Sequence, residues 1–114
     1  MNKRDSKLYL EDIIKSIDSI LAYINNLPYE DFVRNNMIID AVVRNLEVIG
    51  EASKNIPSEI KSLHPDIPWR EMSGMRDKVI HEYFGVDIDI VWATITKRLP
   101  ELKPLLVNIK SDLK

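Results

Sequence analysis

The chain has no cysteine, which removes disulfides and thiolate chemistry from consideration. Glycine is scarce, with three residues, and the six prolines fall between periodic segments rather than in a low-complexity tract. No apolar run approaches the roughly 18 residues that span a bilayer. The charged start, Met1 to Lys7, leads straight into an amphipathic pattern, so no secretory leader is expected. Together these traits point to a cytoplasmic protein with no membrane association. There is no glycine-rich phosphate loop, and the serine of Gly50-Glu51-Ala52-Ser53 has neither an elbow nor triad partners. The two histidines, His64 and His81, lie far apart and outside any carboxylate pattern, so no metal site is expected. A basic excess is also missing. The net charge is −2, so any binding of nucleic acid must rest on a local cluster of cations.

What remains is an ordinary globular composition, 45% hydrophobic and 30% charged over 114 residues. That length suits one domain, residues 1–114, with a core of modest stability. The hydrophobic pattern is helical throughout. Leu10, Ile13, Ile14, Ile17, Ile20, Leu21 and Ile24 recur at spacings of three and four, predicting a helix from about Ser6 to Asn26 that Leu27-Pro28-Tyr29 breaks. A second helix is expected from about Asp31 to Asn55. Its stripe of Ile39, Val42, Leu46, Ile49 and Ile56 is widened by Ile38, Ala41, Val48 and Ala52. A helix this apolar is covered on more than one side, by the bundle or by a partner chain. Pro57 can open a short turn over Ser58–Leu63, which His64-Pro65 ends. Pro68 then opens a helix from Trp69 to about Glu82, closed by Tyr83-Phe84-Gly85. Asp87 or Asp89 can cap a helix carrying Ile88, Val91, Trp92, Ile95 and Leu99, and Pro100 begins a last short one through Leu102, Leu105, Leu106 and Ile109. The expected architecture is all-α, an up-and-down bundle of four main helices plus short ones.

The segment from Pro68 to Gly85 carries the candidate chemistry. On one continuous helix, Trp69, Met72, Val79, Ile80 and Tyr83 form an apolar stripe with Arg76 in its middle. A guanidinium there needs a partner. It either pairs with a carboxylate such as Glu51 or Asp77, or lines a pocket for an anion, where its fork suits phosphate. His81 follows five residues later, about 140° around and about 7.5 Å along an ideal helix. The two can converge on one group if Arg76 extends along the helix. A histidine near a helix C-terminus is favoured in its protonated form, which suits a general acid, although a lone histidine is commonly structural. His64, before Pro65, reads as a solvated loop residue.

Arg76, four residues, His81, one residue, Tyr83 resembles the signature of HepT-like toxins in the HEPN superfamily. The surroundings are similar too: Asn45-Leu46-Glu47-Val48-Ile49-Gly50-Glu51-Ala52, Ile67-Pro68-Trp69-Arg70, Gly74-Met75-Arg76-Asp77, Tyr83-Phe84-Gly85-Val86-Asp87 and Val91-Trp92. The resemblance implies a HEPN-type bundle that forms a homodimer. It also implies an RNA-cleaving, metal-independent, cofactor-free toxin paired with a minimal nucleotidyltransferase antitoxin. It gives Arg76 and His81 as catalytic residues and Tyr83 as the tyrosine the antitoxin adenylylates. Asp77 stands at a supporting polar position where relatives more often carry asparagine. Two rival readings stay open: a non-catalytic nucleotide- or phosphate-binding module that assists a nucleotidyltransferase, and a structural helical adaptor with Arg76 in a buried ion pair.

Overall fold

A computed structural model of the chain describes residues 3–75 and 88–113, with side chains from Ser6 onward. Helix α1, Lys3–Tyr23, buries the face that the three-and-four spacing picks out: Leu10, Ile13, Ile17 and Ile20 are fully inaccessible. It ends in a turn in which Asn26 takes a left-handed φ of 59°, a conformation asparagine tolerates better than branched residues.

The second expected helix is two. Helix α2, Tyr29–Phe32, follows Pro28, and the chain then breaks before α3, Asn36–Lys54. The break is made by Asn35, whose side-chain oxygen accepts a hydrogen bond from the Ile38 amide at 3.0 Å, an N-cap in place of a helical interior. On α3 the stripe of Ile39, Val42, Leu46 and Ile49 is buried, with Ala52 beside it, while Ile38, Ala41, Val43 and Val48 are half-buried. Buried Ser53 returns its hydroxyl proton to the Ile49 carbonyl at 2.7 Å, so it is satisfied within its own helix. The α3 face packs against α1 on one side and against α5 on the other.

Helix α4 spans Ser58–Leu63 after Pro57, as expected. Helix α5, Trp69–Ser73, is shorter than the sequence pattern suggests. It stops at Gly74, whose ψ of −7° has opened from the helical value into a turn. Glycine lowers the cost of leaving the helix there. The single helix expected from Trp69 to about Glu82 is therefore interrupted at Gly74, and its part beyond Met75 lies outside the described residues.

Helix α6, Ile88–Ala93, runs through a π-helical turn, Thr94–Arg98, directly into α7, Leu99–Asp112. Asp89 lies inside the first turn of α6 and is not its cap. Pro100 does not start a separate element. It sits at the beginning of α7 within one continuous rod. A proline there has no amide proton for the carbonyl four residues back, and its ring crowds that carbonyl. Widening the preceding turn relieves the clash, and the Leu99 amide bonds the Thr94 carbonyl five residues back. Thr94 and Thr96 also give their hydroxyl protons to the carbonyls of Ile90 and Trp92, at 2.8 and 2.7 Å. Such back-bonding bends helices in the same sense. Val91, Ile95, Leu99, Leu102, Leu106 and Ile109 form the buried stripe of this rod, and its α7 part packs on α1.

The described residues are thus all-α, with no strand among them. Leu46→Ala, at a site 1% exposed, should lower unfolding stability by about 2–5 kcal/mol. Met37→Ala, at a site 80% exposed, should stay within about 0.5 kcal/mol of the parent chain. Urea unfolding followed by circular dichroism gives both values, and equal costs would contradict the packing described.

Candidate active site

Arg76, Asp77, His81 and Tyr83 lie outside the described residues, as does Asp87. What the structure supplies is the frame on either side of that segment.

On the N-terminal side the frame is α5 and the turn before it. Trp69 is buried, and its indole N–H donates to the His64 carbonyl at 2.9 Å. The Ile67 amide donates to the same oxygen at 3.2 Å, so one carbonyl at the end of α4 gathers both lone pairs into the turn. This fixes His64 as a half-buried connector residue whose backbone does the work. Met72 and Met75 enter the core beside Trp69 and pin the last residues before Arg76. The opposite, exposed side of α5 carries Glu71. Arg98, on the π turn, grips it with two bonds: Nε donates to Oε1 at 3.0 Å and Nη2 to Oε2 at 2.5 Å. The third arm of the fork, Nη1, donates to Glu101 at 3.2 Å. The hydrogen bond to Glu71, then that to Glu101, holds the Arg98 guanidinium above its ordinary pKa.

On the C-terminal side the frame is α6. Trp92 stands between two aromatic rings of α2 and its end, with Tyr29 edge-on at a centroid distance of 5.8 Å and Phe32 tilted at 4.8 Å. The Tyr29 hydroxyl donates to the Asp89 carboxylate across 60 positions of sequence. Helix α6 is therefore anchored by the ring contacts of Trp92 and by the hydrogen bond of Asp89.

Two open grooves are found among the described residues. One, of about 530 Å³, is lined by Tyr9, Asp12, Arg44, Glu47, Glu51 and Asn55. Three carboxylates against one guanidinium make it a poor seat for a polyanion. The other, of about 490 Å³, runs between α1 and α7, where Lys110 faces Glu11 at 3.9 Å. Next to it Lys103 pairs with Asp18 at 2.7 Å. Lys110 and Lys103 each face a carboxylate, and Lys15 also lines this groove. Among the described residues no group of three or more His, Asp or Glu side chains could hold a metal ion, and no helix is long and apolar enough to cross a membrane.

Sequence reasoning did not find the Tyr29–Asp89 and Arg98–Glu71 contacts. The Arg98–Glu101 spacing of three was readable as a helix-face pair, but nothing local signals a partner 27 or 60 positions away.

The fold and this frame define a small helical domain built around one short motif-bearing segment. The family model described as ribonuclease HepT-like matches residues 13–109. A protein of Thermococcus cleftensis named "Probable ribonuclease HepT" is 52% identical over 101 residues, covering 89% of this chain and 92% of that one. Two proteins of Methanocaldococcus jannaschii, both named "Putative RNase", are 49% and 48% identical over 113 residues, which is 99% of this chain and 93% and 97% of theirs. No solved structure gives a significant match. The chain belongs to the ribonuclease HepT-like family, as its motifs indicated.

Tyr29→Phe keeps the ring against Trp92 and removes the hydroxyl bond to Asp89. It should cost about 0.5–1.5 kcal/mol. Trp92→Ala removes both ring contacts of this half-buried side chain and should cost more, about 2–3 kcal/mol. Thermal unfolding of the two variants checks the order, and a Tyr29→Phe loss as large as that of Trp92→Ala would show that the ring stack is not the main anchor.

Proposed function

We propose that this chain is a metal-independent endoribonuclease toxin, with Arg76 and His81 as its catalytic residues. The observation that carries the reading is a conjunction. The chain shares about half its residues with proteins named as ribonucleases over nearly its whole length, and it holds an arginine, a histidine and a tyrosine at the motif spacing.

RNA brings its own nucleophile. The 2′-oxygen attacks the adjacent phosphorus, and the bond to the 5′-oxygen of the next nucleotide breaks. A base takes the 2′-hydroxyl proton and an acid gives one to the departing 5′-oxygen. The phosphorane-like transition state carries extra negative charge, which the planar Arg76 fork is suited to neutralise. Neutral His81 serves as base and protonated His81 as acid. One chain offers a single histidine in this segment, so two copies related by a two-fold axis would supply both. We therefore assign the working form as a homodimer, with the half-buried side of α3 (Ile38, Ala41, Val48) contributing apolar surface to the contact. Asp77, next to Arg76, would orient its guanidinium. A nucleotidyltransferase partner would silence the site by transferring AMP from ATP to the Tyr83 oxygen, with pyrophosphate leaving and the hydroxyl proton lost to solvent. The added phosphodiester would then compete with RNA for Arg76.

Arg76→Ala and His81→Ala should each reduce RNA cleavage by about 10²- to 10⁴-fold while the circular dichroism spectrum is unchanged. Cleavage by the parent chain should persist in EDTA. A folded His81→Ala variant that cuts RNA at the parent rate would overturn the assignment. Nucleotide binding without cleavage by the parent chain would favour a phosphate-binding module.

Incubation with ATP, magnesium and the partner nucleotidyltransferase should add AMP masses to the parent chain and none to Tyr83→Phe. Intact-mass spectrometry decides this, and AMP retained on Tyr83→Phe would move the modified residue elsewhere.

A further inference from the structure

We propose that Arg98 and Glu71 are positioning residues for the catalytic segment: their two-bond grip fixes the direction in which α5 leads into it. This rests on the reading of Arg76 and His81 as the ribonuclease site.

Helix α5 has five residues, Trp69–Ser73, too few for its own backbone bonds to fix its direction. Its buried side is held by Trp69 and Met72. That leaves rotation about this apolar pivot as its free motion, and Glu71, on the exposed side, is where such rotation is best resisted. Arg98 meets Glu71 in fork-to-fork geometry, both nitrogens on both oxygens, which restricts angle as well as distance. The fork reaches across because the π turn carries it. A five-residue π turn in an otherwise regular rod re-aims the side chains on it, and such turns are frequent at functional sites. Glu101 then occupies the remaining arm, so all three arms of the guanidinium face carboxylates.

The pair is exposed, with side chains 39% and 44% accessible, and pairs of that kind add little to stability. Its effect is on direction. Arg76 follows Glu71 by five residues, and a displacement of about 1 Å at a reacting group can cost about 10²-fold in rate.

The test uses the full chain and a fluorogenic single-stranded RNA pool of mixed sequence, with kcat and KM measured alongside thermal unfolding. Arg98→Ala and Glu71→Gln should each lower kcat about 10- to 100-fold, with KM changed less than about threefold. The double variant should be no worse than either single one, because both remove the same grip. Arg98→Lys keeps the charge without the fork and should recover only part of kcat. Lys103→Ala, which breaks the Lys103–Asp18 pair on the far face of α7, should leave kcat unchanged. Should Arg98→Ala fail to fold, Glu71→Gln and Arg98→Lys carry the same comparison. A raised KM with intact kcat for Arg98→Ala, together with unchanged or improved cleavage by Glu71→Gln, would make Arg98 a phosphate contact and overturn the proposal. Parent kcat in every variant would reduce the pair to a surface ion pair. His81→Ala, run in parallel, separates the two levels: retained cleavage there defeats the catalytic reading itself, and the positioning role with it.

Discussion

The apolar seam between α1 and α3, closed by the long C-terminal rod, is the constraint on which the other features depend. Ile13, Ile17 and Ile20 meet Val42, Leu46 and Ile49 across it, and Ile95, Leu99, Leu102 and Leu106 cover its open side. Every one of these side chains is nearly or fully inaccessible. Their burial is the favourable term large enough to order a chain of this size. It also sets where the rod lies, and the rod sets where α6 begins. The α3 face packs α5 from its other side. Both flanks of residues 76–87 are thus fixed to one block of core, and a loosened seam would act at the site without touching a catalytic residue.

Packing of this kind places helices but leaves them free to turn slightly about their apolar contacts. The directional restraints come from polar contacts at the surface, where dispersion and burial say little about angle. The Glu71–Arg98 fork and the Tyr29–Asp89 hydrogen bond stand on the two sides of the motif segment. Neither supplies much stability, because exposed polar pairs exchange water for one another at small net gain. Their geometry is what distinguishes them. A fork-to-fork pair and a tyrosine hydroxyl on a carboxylate tolerate only narrow ranges of angle, and both link elements far apart in sequence.

Much of this was legible in the residues. The buried faces of α1, α3 and the rod follow from spacings of three and four. Ser58–Leu63 follows from Pro57, whose fixed φ pre-forms a helical start. Arg76, His81 and Tyr83 were legible as a spacing, and the family resemblance gave that spacing a chemistry. The errors share one physical origin. Asn35, Gly74 and Pro100 each have two permitted structural roles, and only the three-dimensional setting chooses between them. Asn35 caps a helix where an uninterrupted one was expected. Gly74 ends one. Pro100 is absorbed by a π turn instead of breaking the rod. The Tyr29–Asp89 and Glu71–Arg98 contacts were not legible, since their separation in sequence carries no local periodicity.

The acidic balance of the chain also takes on a meaning at the level of the surface. A net charge of −2 opposes nonspecific capture of RNA, whose phosphates are attracted wherever cations are unmatched. On the described surface Lys103, Lys110 and Arg98 each face carboxylates, and the α1–α3 groove carries Asp12, Glu47 and Glu51. Matched and acidic patches of this sort do not attract a polyanion. Under the proposed mechanism, attraction would be strongest at a shared cleft, where two copies of Arg76 would converge. A dimeric site would suit such a chain physically, because symmetry would double the charge of the cleft. Selectivity for a particular RNA would then arise from what fits that cleft.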